Sequence, residues 1–108
     1  MDSNRRSAVA VGVADVKLAD AVIVPGKQRT YLAITNTSTG GKIISLAFGA
    51  NAVSLEGITL YATGTHSETL DNNFVPTQEE IHAICDGAGG TISIAERIGD
   101  VPSGRTNK

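Results

Sequence analysis

Tryptophan is absent from this chain, and its aromatic residues are limited to Tyr31, Tyr61, Phe48 and Phe74. A core for 108 residues must therefore be assembled from Val, Ile, Leu and Ala, side chains that suit the pleated, interdigitating faces of sheets. Cysteine is nearly absent too. With Cys85 alone no disulfide forms within the chain, so a reducing compartment is compatible with it and stability must come from burial. No apolar run approaches the roughly 20 residues that cross a bilayer as a helix. The stretch Ala8 to Val13, after Arg5 and Arg6, is short, contains Gly12 and is followed by Asp15 and Lys17, which does not make a secretion signal. The expectation is one soluble domain with no membrane partner.

Groups capable of chemistry are equally sparse. His66 and His82 lie in different segments, and neither has another ligand at a metal-binding spacing. On a strand, Cys85 and His82 point to opposite faces and cannot act as nucleophile and base, which leaves Cys85 as a small core residue. The adjacent Glu79 and Glu80 diverge and form no acid–base pair. Neither Gly40-Gly41 nor Asp86-Gly87-Ala88-Gly89-Gly90 fits a phosphate-binding loop, because the Lys-Ser/Thr ending and the following helix are both missing. No catalytic residue, metal site or cofactor is expected. Charge is distributed unevenly: residues 1–7 carry a net +1, residues 97–108 a net +2, and the body between them −5. An acidic body whose aromatics are not interleaved with cations argues against nucleic acid as a partner.

What the chain does have is period-two alternation broken by turn residues. The stretch Arg29 to Phe48 holds two alternating arms, one with Leu32 and Ile34, the other with Ile44, Leu46 and Phe48, around the cluster Asn36-Thr37-Ser38-Thr39-Gly40-Gly41. It predicts a β-hairpin with those five apolar residues in the core and Asn36 as a turn residue. Further strands are predicted at Ala8 to Val13, Asp15 to Asp20, Ile58 to Tyr61, Ile81 to Cys85 and Thr91 to Glu96, the last two as a second hairpin across the Gly-rich turn. A short helix after Thr77-Gln78-Glu79-Glu80 is the alternative for Ile81 to Cys85. Ala21 to Val24 is a short β-branched run ended by Pro25-Gly26. The segment Ala62 to Asn73, rich in Thr, Ser, Gly and Asn, reads as a surface loop with a weak strand at Ser67 to Leu70. Short strands at roughly 8 to 12 residue spacing imply an all-β fold, a single antiparallel β-sandwich or jelly-roll-like barrel of about seven to eight strands. Residues 1–7 are expected to be a flexible arm, 8–97 the domain, and 98–108 a flexible tail.

The pattern R-x-x-L-x-I-x-N at Arg29, Leu32, Ile34 and Asn36, then KIISLAFG, GITLY from Gly57, VPTQEEIHAI and TISIAER, resembles small β-sandwich virion structural proteins of bacteriophages over Arg29 to Arg97. Those proteins are capsid-associated, decoration, vertex or fibre-base components. The chain departs from them at Ala62-Thr63-Gly64-Thr65, where a Pro-containing turn is usual. The resemblance implies a non-enzymatic virion component, assembled in the host cytoplasm and present in several copies. It also implies contact with other virion proteins, above all the major capsid protein, and self-association as a trimer or pentamer. On that reading Arg5, Arg6, Arg97, Arg105 and Lys108 make subunit or capsid contacts. The alternative is a carbohydrate or host-receptor binding module of a fibre or tail, with His66, Asp71, Asn72 and Asn73 supplying polar contacts.

Overall fold

The computed structural model describes residues 3–71 and 74–101, and among these every regular element is a strand. They are β1 (Ser3–Val11), β2 (Val16–Ala19), β3 (Lys27–Asn36), β4 (Ile44–Phe48), β5 (Ile58–Leu60), β6 (Thr65–Thr69), β7 (Ile81–Cys85) and β8 (Gly90–Asp100). Two four-stranded antiparallel sheets result, ordered β1-β8-β3-β6 and β2-β7-β4-β5. The order has a simple origin. Strands 4 and 5, 3 and 6, 2 and 7, and 1 and 8 pair as one long antiparallel ribbon, which rolls up so that β8 meets β3 and β7 meets β4. This is a jelly roll, the more specific of the two expected architectures.

Both expected hairpins are corrected. β3 and β4 lie in different sheets, as do β7 and β8. Alternation and turn residues locate strands and reversals, but they do not say whether a reversal stays in one sheet or crosses the gap of about 10 Å to the other. The segment after Asn36 does the latter, with Gly40 and Gly41 at φ 74° and 75°. Asn36 opens this turn as expected and is in addition a buried crosslink at the end of β3. Its Nδ2 donates to the carbonyls of Lys42 and Leu60 at 2.9 Å each, while Oδ1 accepts from the Ser38 amide at 3.0 Å. Ala21 to Val24 forms no strand, and Thr65–Thr69 is a full strand paired with β3 inside the predicted loop. Strand pairing also extends beyond residues 8–97, with Ser3 opposite Ile98 and Lys27 opposite Asp100.

The core between the sheets contains Val11, Leu32, Ile34, Ile44, Leu46, Leu60, Ile81, Ala83, Cys85, Ile92 and Ile94, all buried. Each large aliphatic side chain there contributes roughly 1.5–3 kcal/mol by leaving water. Phe48, expected beside them, packs at the margin against His66, with ring centroids 5.9 Å apart. Gly90 sets the closest approach. A Cβ there would lie 2.7 Å from both the Cys85 Sγ and the Val11 carbonyl oxygen, so β8 begins where only glycine fits.

Candidate functional site

Two charged networks organise the lower half of the barrel, at the end where β1 begins and β8 stops. The first is centred on Arg29, which is fully buried. A β-bulge leaves Thr30 unmatched between the pairs Arg29–Ile98 and Tyr31–Arg97, which reverses the facing of the strand. Tyr31 therefore stays exposed while Arg29 turns inward beside Glu96. Its Nε donates to the Glu96 carboxylate at 2.7 Å, and Nη2 donates to the Asp20 carbonyl at 2.9 Å. Nη1 donates to the carbonyls of Thr77 and, at 3.1 Å, Glu79. One guanidinium from the first sheet thus holds the segments that end β2 and begin β7 in the second. Gln78 completes the clamp, accepting from the Arg29 amide at 2.6 Å and donating to the Arg29 carbonyl at 3.1 Å.

The second network lies on the outer face of the other sheet. His82 is buried there, with Lys17 opposite it on β2 and Ala47 opposite it on β4. Its Nδ1 meets the Asp15 carboxylate at 2.8 Å and its Nε2 meets Glu80 at 2.7 Å. The hydrogen bond to Glu80 and the pairing with Asp15 outweigh burial and raise its pKa above the ordinary histidine value. Burial works against the charge of Asp15, but the Ala52 amide, donating at 2.6 Å, and His82 hold its carboxyl below the usual range. Ala52 belongs to the β4–β5 connection, residues 49–57, which folds back as a strap over this face. The strap is tied again where the Leu55 amide donates to Ser45 Oγ at 2.8 Å. Its Val53 and Leu55 side chains remain exposed, Leu55 on a positive-φ backbone at 64°.

Of the residues singled out in the sequence, Arg5 forms an ion pair with Glu96, next to the Arg29 clamp. Arg6 and Arg97 border a shallow depression with Tyr31 on the outer face of the first sheet. Arg105, Lys108, Asn72 and Asn73 lie outside the described residues. His66 sits on β6 opposite the buried Ile34, bonded through Nε2 to Glu68 at 2.9 Å, and Glu68 in turn accepts from the Thr77 amide at 2.8 Å. Asp71 is exposed, its amide donating to the Phe74 carbonyl. Cys85 faces the core and His82 the opposite side, so the two are separated as the alternation requires.

Apolar side chains are exposed at both ends of a barrel 47 Å long and 21 Å across. Val13 and Tyr61 are 68% and 67% exposed at the end formed by the β1–β2 and β5–β6 turns. At the other, Ile23 and Val24 are 84% and 57% exposed beside a groove of about 640 Å³ that Val22, Lys27, Glu80 and Ile98 also line. This fold is shared with a pilus chain. A chain of the disulfide-linked pili of Bacillus endospore appendages superposes with a TM-score of 0.57 at 15% identity, covering 95% of this chain and 88% of that one. A crystal structure of PirA gives a TM-score of 0.48 at 18% identity, over 86% of this chain and 92% of the other. The coat protein of Tobacco streak virus gives 0.43 at 10%, over 99% and 90%. Neither the pilus chain nor the coat protein is a bacteriophage component. No protein-family model and no curated protein matches the sequence.

The Arg29 and His82 networks were not anticipated, though part of the second was visible. On a strand, residues two apart share a face, so Glu80 with His82 and His66 with Glu68 were readable as pairs. Asp15 and Glu96 come from segments distant in sequence, and nothing local marks them.

Proposed function

We propose that this chain is a non-enzymatic structural subunit that self-associates end to end within a virion-type assembly and docks on a capsid shell. The observation that carries the self-association is the placement of exposed apolar side chains at opposite ends of an elongated barrel, Val13 with Tyr61 and Ile23 with Val24. Different patches at two ends form a heterologous contact, which extends into rings or filaments as a two-fold contact does not. The jelly roll shared with a pilus chain supports the reading, as a fold that such assemblies use. The capsid partner rests on the resemblance of Arg29 to Arg97 to bacteriophage virion proteins. The shell contact would draw on Arg5, Arg6, Arg97, Arg105 and Lys108, Arg5 being half exposed although paired with Glu96.

Light scattering on three proteins tests the association. The wild type is expected to grow in mass with concentration. Tyr61→Asp and Ile23→Asp, one at each end, are each expected to remain monomeric alone and to give heterodimers when mixed, because one intact patch of each kind is then present. A wild type that stays monomeric at every concentration, or a mixture that stays monomeric, would overturn the reading.

A further inference from the structure

We propose that the strap 49–57 is a proton-controlled cover on the outer face of the second sheet, latched by His82 while the ring carries two protons and loosened when it loses one. The geometry requires the charged ring. Both nitrogens of His82 face carboxylate oxygens at hydrogen-bond distance, and a neutral imidazole has a single N–H to offer. With one proton gone, one contact becomes lone pair against lone pair. Glu80 can turn toward water, but the remaining bond to Asp15 then joins a neutral ring to the carboxylate and loses the attraction between opposite charges. Asp15 accepts from the Ala52 amide through its other oxygen, so the weakened bond is the one that positions the strap's anchor.

The surroundings of the ring are compatible with such a device. From β2 it faces Lys17, which is itself paired with Asp20 at 2.7 Å. From β4 it faces Ala47, which carries no charge. The β1–β2 connection contributes Asp15, and the residue two before His82 contributes Glu80. The strap contributes the Ala52 amide, and its own carboxylate, Glu56, is exposed. Beneath the strap lie Ser45, which is 1% exposed, and Ala47. Opening would uncover a surface of small side chains next to Val53 and Leu55. The upward displacement of the His82 pKa agrees with a ring that stays protonated when the strap is closed.

Amide hydrogen exchange read by NMR from pH 5.5 to 9 tests the latch, expressed as protection relative to an unstructured chain so that base catalysis of exchange cancels. Exchanging an imidazolium for a neutral imidazole opposite a carboxylate changes an opening equilibrium by roughly tenfold. Protection at Ala52 and Leu55 is therefore expected to fall about tenfold, with the same midpoint as the His82 ring resonances, while Leu32 in the core keeps its protection. In His82→Gln the pH dependence at Ala52 should vanish. Should that variant fail to fold, Glu80→Gln, whose amide can partner either tautomer, should shift the ring midpoint and the Ala52 midpoint downward together. Flat protection at Ala52 through the His82 titration would overturn the proposal. So would an equal loss at Leu32, or a midpoint at Ala52 that follows His66 instead.

Discussion

The Arg29 clamp and the His82 latch do the same mechanical task with different chemistry. Each places a nitrogen heterocation or guanidinium from a strand between carboxylates and backbone groups of connecting segments, and each ties together pieces of chain far apart in sequence. The guanidinium keeps its charge at any pH a protein survives, and it spreads its donors over several acceptors. The imidazole holds its second proton only conditionally. One tie is therefore permanent and inside the barrel, the other conditional and outside it. A jelly roll can in this way keep its sheets joined while leaving one covering segment responsive.

The sharpest way to break this contrast is Arg29→Ala, which leaves Glu96 buried beside Arg5 alone and strands the carbonyls of Asp20, Thr77 and Glu79. Removing one partner from a buried pair costs about 3–5 kcal/mol. Urea unfolding should show that loss with the same size at pH 6 and pH 8; a difference between the two would mean that the clamp also titrates. Gly90→Ala removes no charge but forces a methyl into the Val11 carbonyl and Cys85 sulfur, and an overpacking loss of about 1–3 kcal/mol is expected from the same measurement. His82→Gln comes next. A histidine whose folded pKa is raised contributes stability that is complete below its unfolded value of about 6.5 and is lost as pH rises through the folded value. The wild type should exceed the variant by about 1–3 kcal/mol at pH 5.5, a gap that narrows toward pH 9. The smallest effect belongs to the exposed pair of Lys27 and Asp100, in which Lys27 lowers the Asp100 carboxyl to about 2. Lys27→Ala should leave the thermal midpoint at pH 7 unchanged within error, since exposed pairs are screened.

The class of fold was legible because strands of Val, Ile and Leu alternating with Thr and Ser can bury only one face. Leu32, Ile34, Ile44 and Leu46 accordingly fill the core. Strand order was not legible: a reversal at Asn36 to Gly41 reads alike whether it closes a hairpin or carries the chain between sheets. Facing cannot be carried by alternation past a point where it is interrupted. The bulge at Thr30 put Arg29 and Tyr31, which share a parity, on opposite sides of the sheet. The networks follow the same logic. Glu80 and His82 share a face by spacing alone, whereas Asp15 joins them only once β2 is paired with β7.

The position of β8 between β1 and β3 has a consequence for biogenesis. β8 is made after both of the strands that it joins, so β1 and the facing edge of β3 wait unpaired until it has been synthesised. Contacts of such sequence separation are slow to close and leave unpaired edges exposed to neighbouring chains meanwhile. Closure of this sheet therefore waits for β8. A chain released before Gly90 would lack the central strand of a sheet, not merely its end.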